Sequence, residues 1–114
     1  VHVGHLRAAE SAQQQLILDE LVFLPAAQSP FKPCPQVSDH HRLAMLTIAV
    51  ESRSGFTLDA RELENPGPSY TVHTLRALRT EQPQTHFYLM IGMDTWADFE
   101  GWWAWQEIMQ LCHL

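Results

Sequence analysis

Apolar residues fall along this chain in short blocks whose spacing switches between helical and strand-like. From His5 to about Leu18, the side chains of Leu6, Ala9, Ala12, Leu16 and Ile17 gather near one face, which predicts a helix. Leu21-Val22-Phe23-Leu24 is a continuous apolar run stopped by Pro25, the pattern of a short buried strand. From Pro25 to Val37 the chain is studded with proline, which holds the backbone extended. Ser38 and Asp39 then cap a second helix, with Leu43, Leu46 and Val50 on one stripe. Phe56-Thr57-Leu58-Asp59 reads as another strand and Asn65-Pro66-Gly67-Pro68 as a turn. A third helix starts at Tyr70 or Thr71, with Val72, Leu75 and Leu78 spaced for burial. His86 to Met93 is apolar at Phe87, Tyr88, Leu89, Met90 and Ile91, as a central parallel strand would be. Asp94 opens a short helical turn, and Trp103 to Leu111 forms the last helix.

Helices alternating with buried strands predict an α/β fold built on a doubly wound parallel sheet. At 114 residues the chain is expected to form one domain, residues 1–114, and its 46% apolar content suits a packed core. In such sheets ligands bind beyond the carboxyl ends of the strands. The loops after Leu24, Leu58 and Ile91 therefore carry the interest.

Charge and cysteine usage narrow the function. Seven Lys and Arg against 13 Asp and Glu give a net charge of -6, which disfavours a nucleic-acid surface. Cys34 and Cys112 are far apart and lack metal-ligand spacing, so a disulfide framework is not expected and a reducing, cytoplasmic location is. The sequence shows no apolar run near the ~18 residues of a membrane span. The seven histidines likewise show no zinc spacing.

Five places can carry chemistry. His2-Val3-Gly4-His5 sets two imidazoles around a glycine at the start of a helix, a cradle for phosphate. Pro68-Ser69-Tyr70-Thr71 puts hydroxyls and free amides at another helix start, where a carboxylate would bind. Gly92-Met93-Asp94 lies at a strand-to-helix junction, with Asp94 able to accept from ribose hydroxyls. Trp96, Trp102, Trp103 and Trp105 include candidates to stack on a flat cationic ring. Lys32, in its proline-fixed loop, is the mobile cation to reach a triphosphate. Each has a plain alternative: a frayed histidine pair, an ordinary N-cap by Ser69 or Thr71, a cap by Asp94, packing tryptophans, a solvated lysine.

Taken together, HVGHL at 2–6, PSYTVHTL at 68–75, IGMD at 91–94 and WWAW at 102–105 resemble the bacterial nicotinate-mononucleotide adenylyltransferases, members of the HxGH nucleotidyltransferase superfamily. The resemblance extends over essentially the whole chain, through LVFLPAAQSPFKP, HHRLAMLTIAV and FTLDARELENPGPSYT. It implies a Rossmann-like fold and transfer of AMP from ATP to nicotinate mononucleotide, giving deamido-NAD and pyrophosphate. By this resemblance His2 and His5 are catalytic. Lys32, Ser69, Tyr70, Thr71, Gly92, Asp94 and Trp102 bind substrate, with Trp102 at the family's stacking position. Magnesium is expected on the ATP phosphates, with no protein residue assigned to it. Phe31 stands where relatives often have histidine. The family's glycine-rich first strand would precede His2, and a Ser/Thr-rich motif with an arginine would follow Leu114. The sheet is therefore expected to be incomplete and the 114 residues by themselves inactive. A sister enzyme using nicotinamide mononucleotide and a non-catalytic nucleotide-binding fragment are the alternatives. Oligomeric state is left open, a homo-oligomer included.

Overall fold

Helix α1 runs Val3–Leu16, beginning ahead of the expected His5 because His2 takes the N-cap position. It ends at Ile17, whose φ of 52° turns the chain left-handed while the Leu18 N–H closes on the Gln13 carbonyl at 3.0 Å. The computed structural model describes residues 1–27, 36–65 and 67–114. These divide into two units, Val1–Pro68 and Ser69–Leu114.

In the first unit, strand β1 (Leu21–Phe23) pairs in parallel with β2 (Phe56–Leu58), matching Leu21 to Phe56, Val22 to Thr57 and Phe23 to Leu58. Parallel neighbours need a crossover, supplied here by α2 (Asp39–Glu51). Its N-cap is Ser38, as the sequence predicts, with the hydroxyl accepting from the His41 N–H at 3.3 Å. Leu46 and Val50 are buried along its stripe. Ala9, Val50 and Phe56 form the core, covered by Leu6, Leu21 and Phe23. Arg53, just past the end of α2, pairs with Glu10 of α1 at 2.6 Å. Both are partly exposed, so the pair contributes at most about 1 kcal/mol. A short helix α3 (Arg61–Glu64) follows β2, absent from the sequence reading. Asp59 holds it by accepting from the Arg61 N–H at 3.0 Å and the Arg61 guanidinium at 2.7 Å.

In the second unit, α4 (Thr71–Glu81) buries Val72, Thr74 and Leu75. The segment expected to be a central strand, 86–93, makes a single parallel bridge, Tyr88 to His113. Leu89 N–H donates to the His113 carbonyl at 2.7 Å, and His113 N–H to the Phe87 carbonyl at 2.8 Å. Its side chains alternate, with Phe87, Leu89 and Ile91 half-buried while Tyr88 and Met90 are exposed. That corrects the sequence reading: one face of the segment packs, and among the described residues its ladder stops after one bridge. Helix α5 (Met93–Ala97) and a 3₁₀ turn at Phe99–Gly101 lead to α6 (Trp105–Leu111). Helix α6 starts after the expected Trp103 because Ala104, at φ 54°, forms a left-handed corner before it. Val72, Leu75, Phe99, Ile108 and Cys112 make the core. Arg79 fastens it, donating to the carbonyls of Thr85 at 2.7 Å and Leu111 at 2.8 Å with its guanidinium over Phe87. All four tryptophans and both tyrosines lie in this unit.

The chain is thus α/β, and among the described residues every strand pairing is parallel, an incomplete Rossmann-like arrangement. No helix among the described residues is long and apolar enough to cross a membrane.

Candidate functional site

The candidate residues divide between the two units. At the head of α1, His2 and His5 form a reciprocal capping box built from imidazoles. His2 Nδ1 accepts from the Gly4 N–H at 3.1 Å, and His5 Nδ1 accepts from the His2 N–H at 3.2 Å. The two rings lie 3.7 Å apart, centre to centre, at 33°. Such a box satisfies helix donors that would otherwise be orphaned. Gly4 makes it possible, since a Cβ there would sit 2.9 Å from both Cε1 and Nδ1 of His2. Partial desolvation, then the neighbouring His2, hold the His5 pKa below its ordinary 6.5. Both residues are exposed, so the Nε2 atoms remain available to a ligand at a positive helix end. Lys32 lies outside the described residues.

In the second unit, Ser69, Tyr70 and Thr71 stand at the head of α4. Tyr70, not Ser69 or Thr71, is the N-cap, and no side chain of Tyr70 caps the helix. By position, the Thr71 and Val72 amides precede the first backbone bond of the helix, and the His73 N–H donates to the Tyr70 carbonyl at 3.0 Å. An aromatic group braces this turn: Trp103 lies 5.6 Å from Tyr70 and 5.0 Å from His73, measured between ring centres. Arg76 sits 5.7 Å from the centre of the Trp103 ring and is held by Glu107 through two bonds of 2.7 and 2.6 Å. Glu107's carboxyl is kept below the usual carboxylate range, first by that hydrogen bond to Arg76.

The sequence reading missed Trp103 and His73 as neighbours of this turn. His73 was legible, since it follows Tyr70 by three residues on one helix face. Trp103 was not, because its contact spans a long stretch of chain. Trp102, the expected stacking residue, is half-buried against the core with Phe99 at 5.5 Å. Gly92 is the N-cap of α5 and Asp94 lies in its first turn. A Cβ on Gly92 would fall 2.6 Å from an Asp94 carboxylate oxygen.

With this geometry in view, one comparison decides the family. The cytidylyltransferase-like family model matches residues 1–114. The chain belongs to that family. Within it, the chain is 43% identical over 114 residues to a protein of Acidithiobacillus ferrooxidans named "Probable nicotinate-nucleotide adenylyltransferase", covering 100% of this chain and 52% of that one. Proteins of the same name from Hydrogenovibrio crunogenus and Rhodopirellula baltica are 41% and 44% identical, with 100% of this chain and 54% of each relative covered. This cytidylyltransferase-like chain thus spans about half the length of the curated relatives it matches.

Proposed function

We propose that this chain carries the phosphate- and acceptor-recognition part of an enzyme that transfers AMP from ATP to nicotinate mononucleotide. The observation that carries this reading is the imidazole capping box at the head of α1, in a cytidylyltransferase-like chain similar to named nicotinate-nucleotide adenylyltransferases. In the reaction, a phosphate oxygen of the mononucleotide attacks the α-phosphorus of ATP. A new P–O–P bond forms, the bond to the bridging β-phosphate oxygen breaks, and pyrophosphate leaves with that electron pair. The nucleophile needs little help, since a phosphate monoester has a second pKa of about 6 and is largely dianionic at neutral pH. Alignment and stabilisation of developing charge remain for the protein. His2 and His5 do this by donating from Nε2 to phosphate oxygens.

On the acceptor side, the amides at the head of α4 receive the ring carboxylate, favouring nicotinate over the neutral nicotinamide. Trp102 is assigned to the cationic pyridine ring, Asp94 and Gly92 to the nucleotide, Ser69 to the same turn as Tyr70 and Thr71, and Lys32 to phosphate. Magnesium is assigned to the nucleotide's own phosphates, with no protein residue named as its ligand. When bound, that ion neutralises charge on the phosphates.

The test is pyrophosphate release by the full-length protein with each mononucleotide. Nicotinate mononucleotide is expected to react at least about tenfold faster at low substrate, a difference of roughly 1.4 kcal/mol. Equal rates for the two acceptors would remove the carboxylate assignment. His5→Ala is expected to lower kcat far more than it raises KM, and a pure KM effect would show binding without catalysis.

A further inference from the structure

Both Nδ1 atoms of the α1 imidazoles are already engaged, and this restricts what the rings can be. A neutral imidazole has one N–H and one bare nitrogen, whereas an imidazolium has two donors and no acceptor. His2 Nδ1 accepts from Gly4 N–H and His5 Nδ1 accepts from His2 N–H, so each ring in this arrangement is neutral, with its proton on Nε2. We propose that His2 and His5 meet phosphate as uncharged Nε2–H donors, and that Gly4 is the positioning residue that keeps His2 in that form. The inference rests on the phosphate reading above and names the protonation state in which the pair works.

Three observations converge on it. The first is the reciprocity of the box: a proton added at either Nδ1 turns an acceptor into a donor facing another N–H. The second is the ring separation of 3.7 Å, at which two positive charges would oppose each other. The neighbouring His2 and partial desolvation both resist protonation of His5. The third is Gly4. It sits in the first turn of α1, two residues after the His2 N-cap. The reason for glycine is spatial, since a Cβ would press on His2 Cε1 and Nδ1 at 2.9 Å and drive the ring off the Gly4 amide.

Neutral donors have a catalytic consequence. Neutral Nε2–H donors fixed by the capping box need no reorientation as negative charge builds on the leaving group, which is how preorganised donors stabilise a transition state.

Nitrogen-15 NMR of histidine-labelled full-length protein reads the ring nitrogens directly, with His2→Asn and His5→Asn assigning the signals. At about pH 7.5, both rings are expected to show a protonated Nε2 and a bare, hydrogen-bonded Nδ1. An Nδ1–H tautomer or an imidazolium in either ring overturns the proposal. Gly4→Ala is expected to release His2 into a mixture of tautomers and to lower kcat by about tenfold or more, with KM for ATP nearly unchanged. An unaltered His2 signal in a folded Gly4→Ala protein overturns the positioning role, and the unsubstituted protein decides the tautomers whether or not that variant folds. Pyrophosphate added to the same sample separates the two claims. Failure to perturb either Nε2 signal counts against the phosphate reading, whereas a wrong tautomer counts against the protonation state alone.

Discussion

His5 makes the pH response of this chain predictable in sign. Its folded pKa lies below the ordinary 6.5, so between the two values the unfolded chain binds more protons than the folded one. Unfolding free energy therefore rises with pH across that window, is fully present above about 6.5, and is lost as pH falls through the lowered folded value. Urea unfolding of the full-length protein should show this rise, and His5→Gln should flatten it selectively. An unchanged slope in the variant would mean other groups produce the effect. Single residues also show where sequence reading stops. The glycines of HVGH and IGMD read as places where a ligand comes close to the backbone. In the structure each clears room for a polar side chain of its own motif, Gly4 for His2 and Gly92 for Asp94. Sequence marks the need for a missing Cβ without saying which atom fills the space.

Among the elements, α4 offers the cleanest test of an amide as a ligand. Thr71 is its first helical residue, where proline is tolerated because the N–H has no helical partner. Tyr70, at φ -102° and ψ 123°, already has the extended backbone that a residue before proline prefers. Thr71→Pro thus deletes one donor at little cost to the helix. It is expected to raise KM for nicotinate mononucleotide about ten- to a hundredfold, the 1.5–3 kcal/mol of a hydrogen bond to a charged group. Turnover of nicotinamide mononucleotide should barely change, and parallel losses for both acceptors would place the carboxylate elsewhere. Helices α1, α2 and α4 and strands β1 and β2 were legible because each carries its own period and boundary residues. Two features were not. Ala104's left-handed corner has no glycine to announce it, and the 87–91 run looked fully apolar although its residues alternate between core and solvent.

At the scale of the whole molecule, the sequence motifs fall into two units: the imidazoles in Val1–Pro68, the acceptor turn and the tryptophans in Ser69–Leu114. That partition was not legible, because the motif order resembles one continuous family pattern and Asn65-Pro66-Gly67-Pro68 reads as a turn within it. Ile108 has no exposed surface and lies in the core of the second unit. Ile108→Ala should destabilise that unit by about 2–5 kcal/mol, read from the shift of its urea midpoint, and a shift below about 1 kcal/mol would mean a loosely packed core. The optical consequence is specific. Since every tryptophan and tyrosine lies in residues 69–114, near-ultraviolet emission sees the second unit alone, while far-ultraviolet dichroism weighs α1 and α2 as well. Two instruments following one unfolding experiment therefore observe different parts of the same chain. The unit that holds the imidazole pair is spectrally dark, and a single tryptophan placed on the exposed side of α2 would give it a voice.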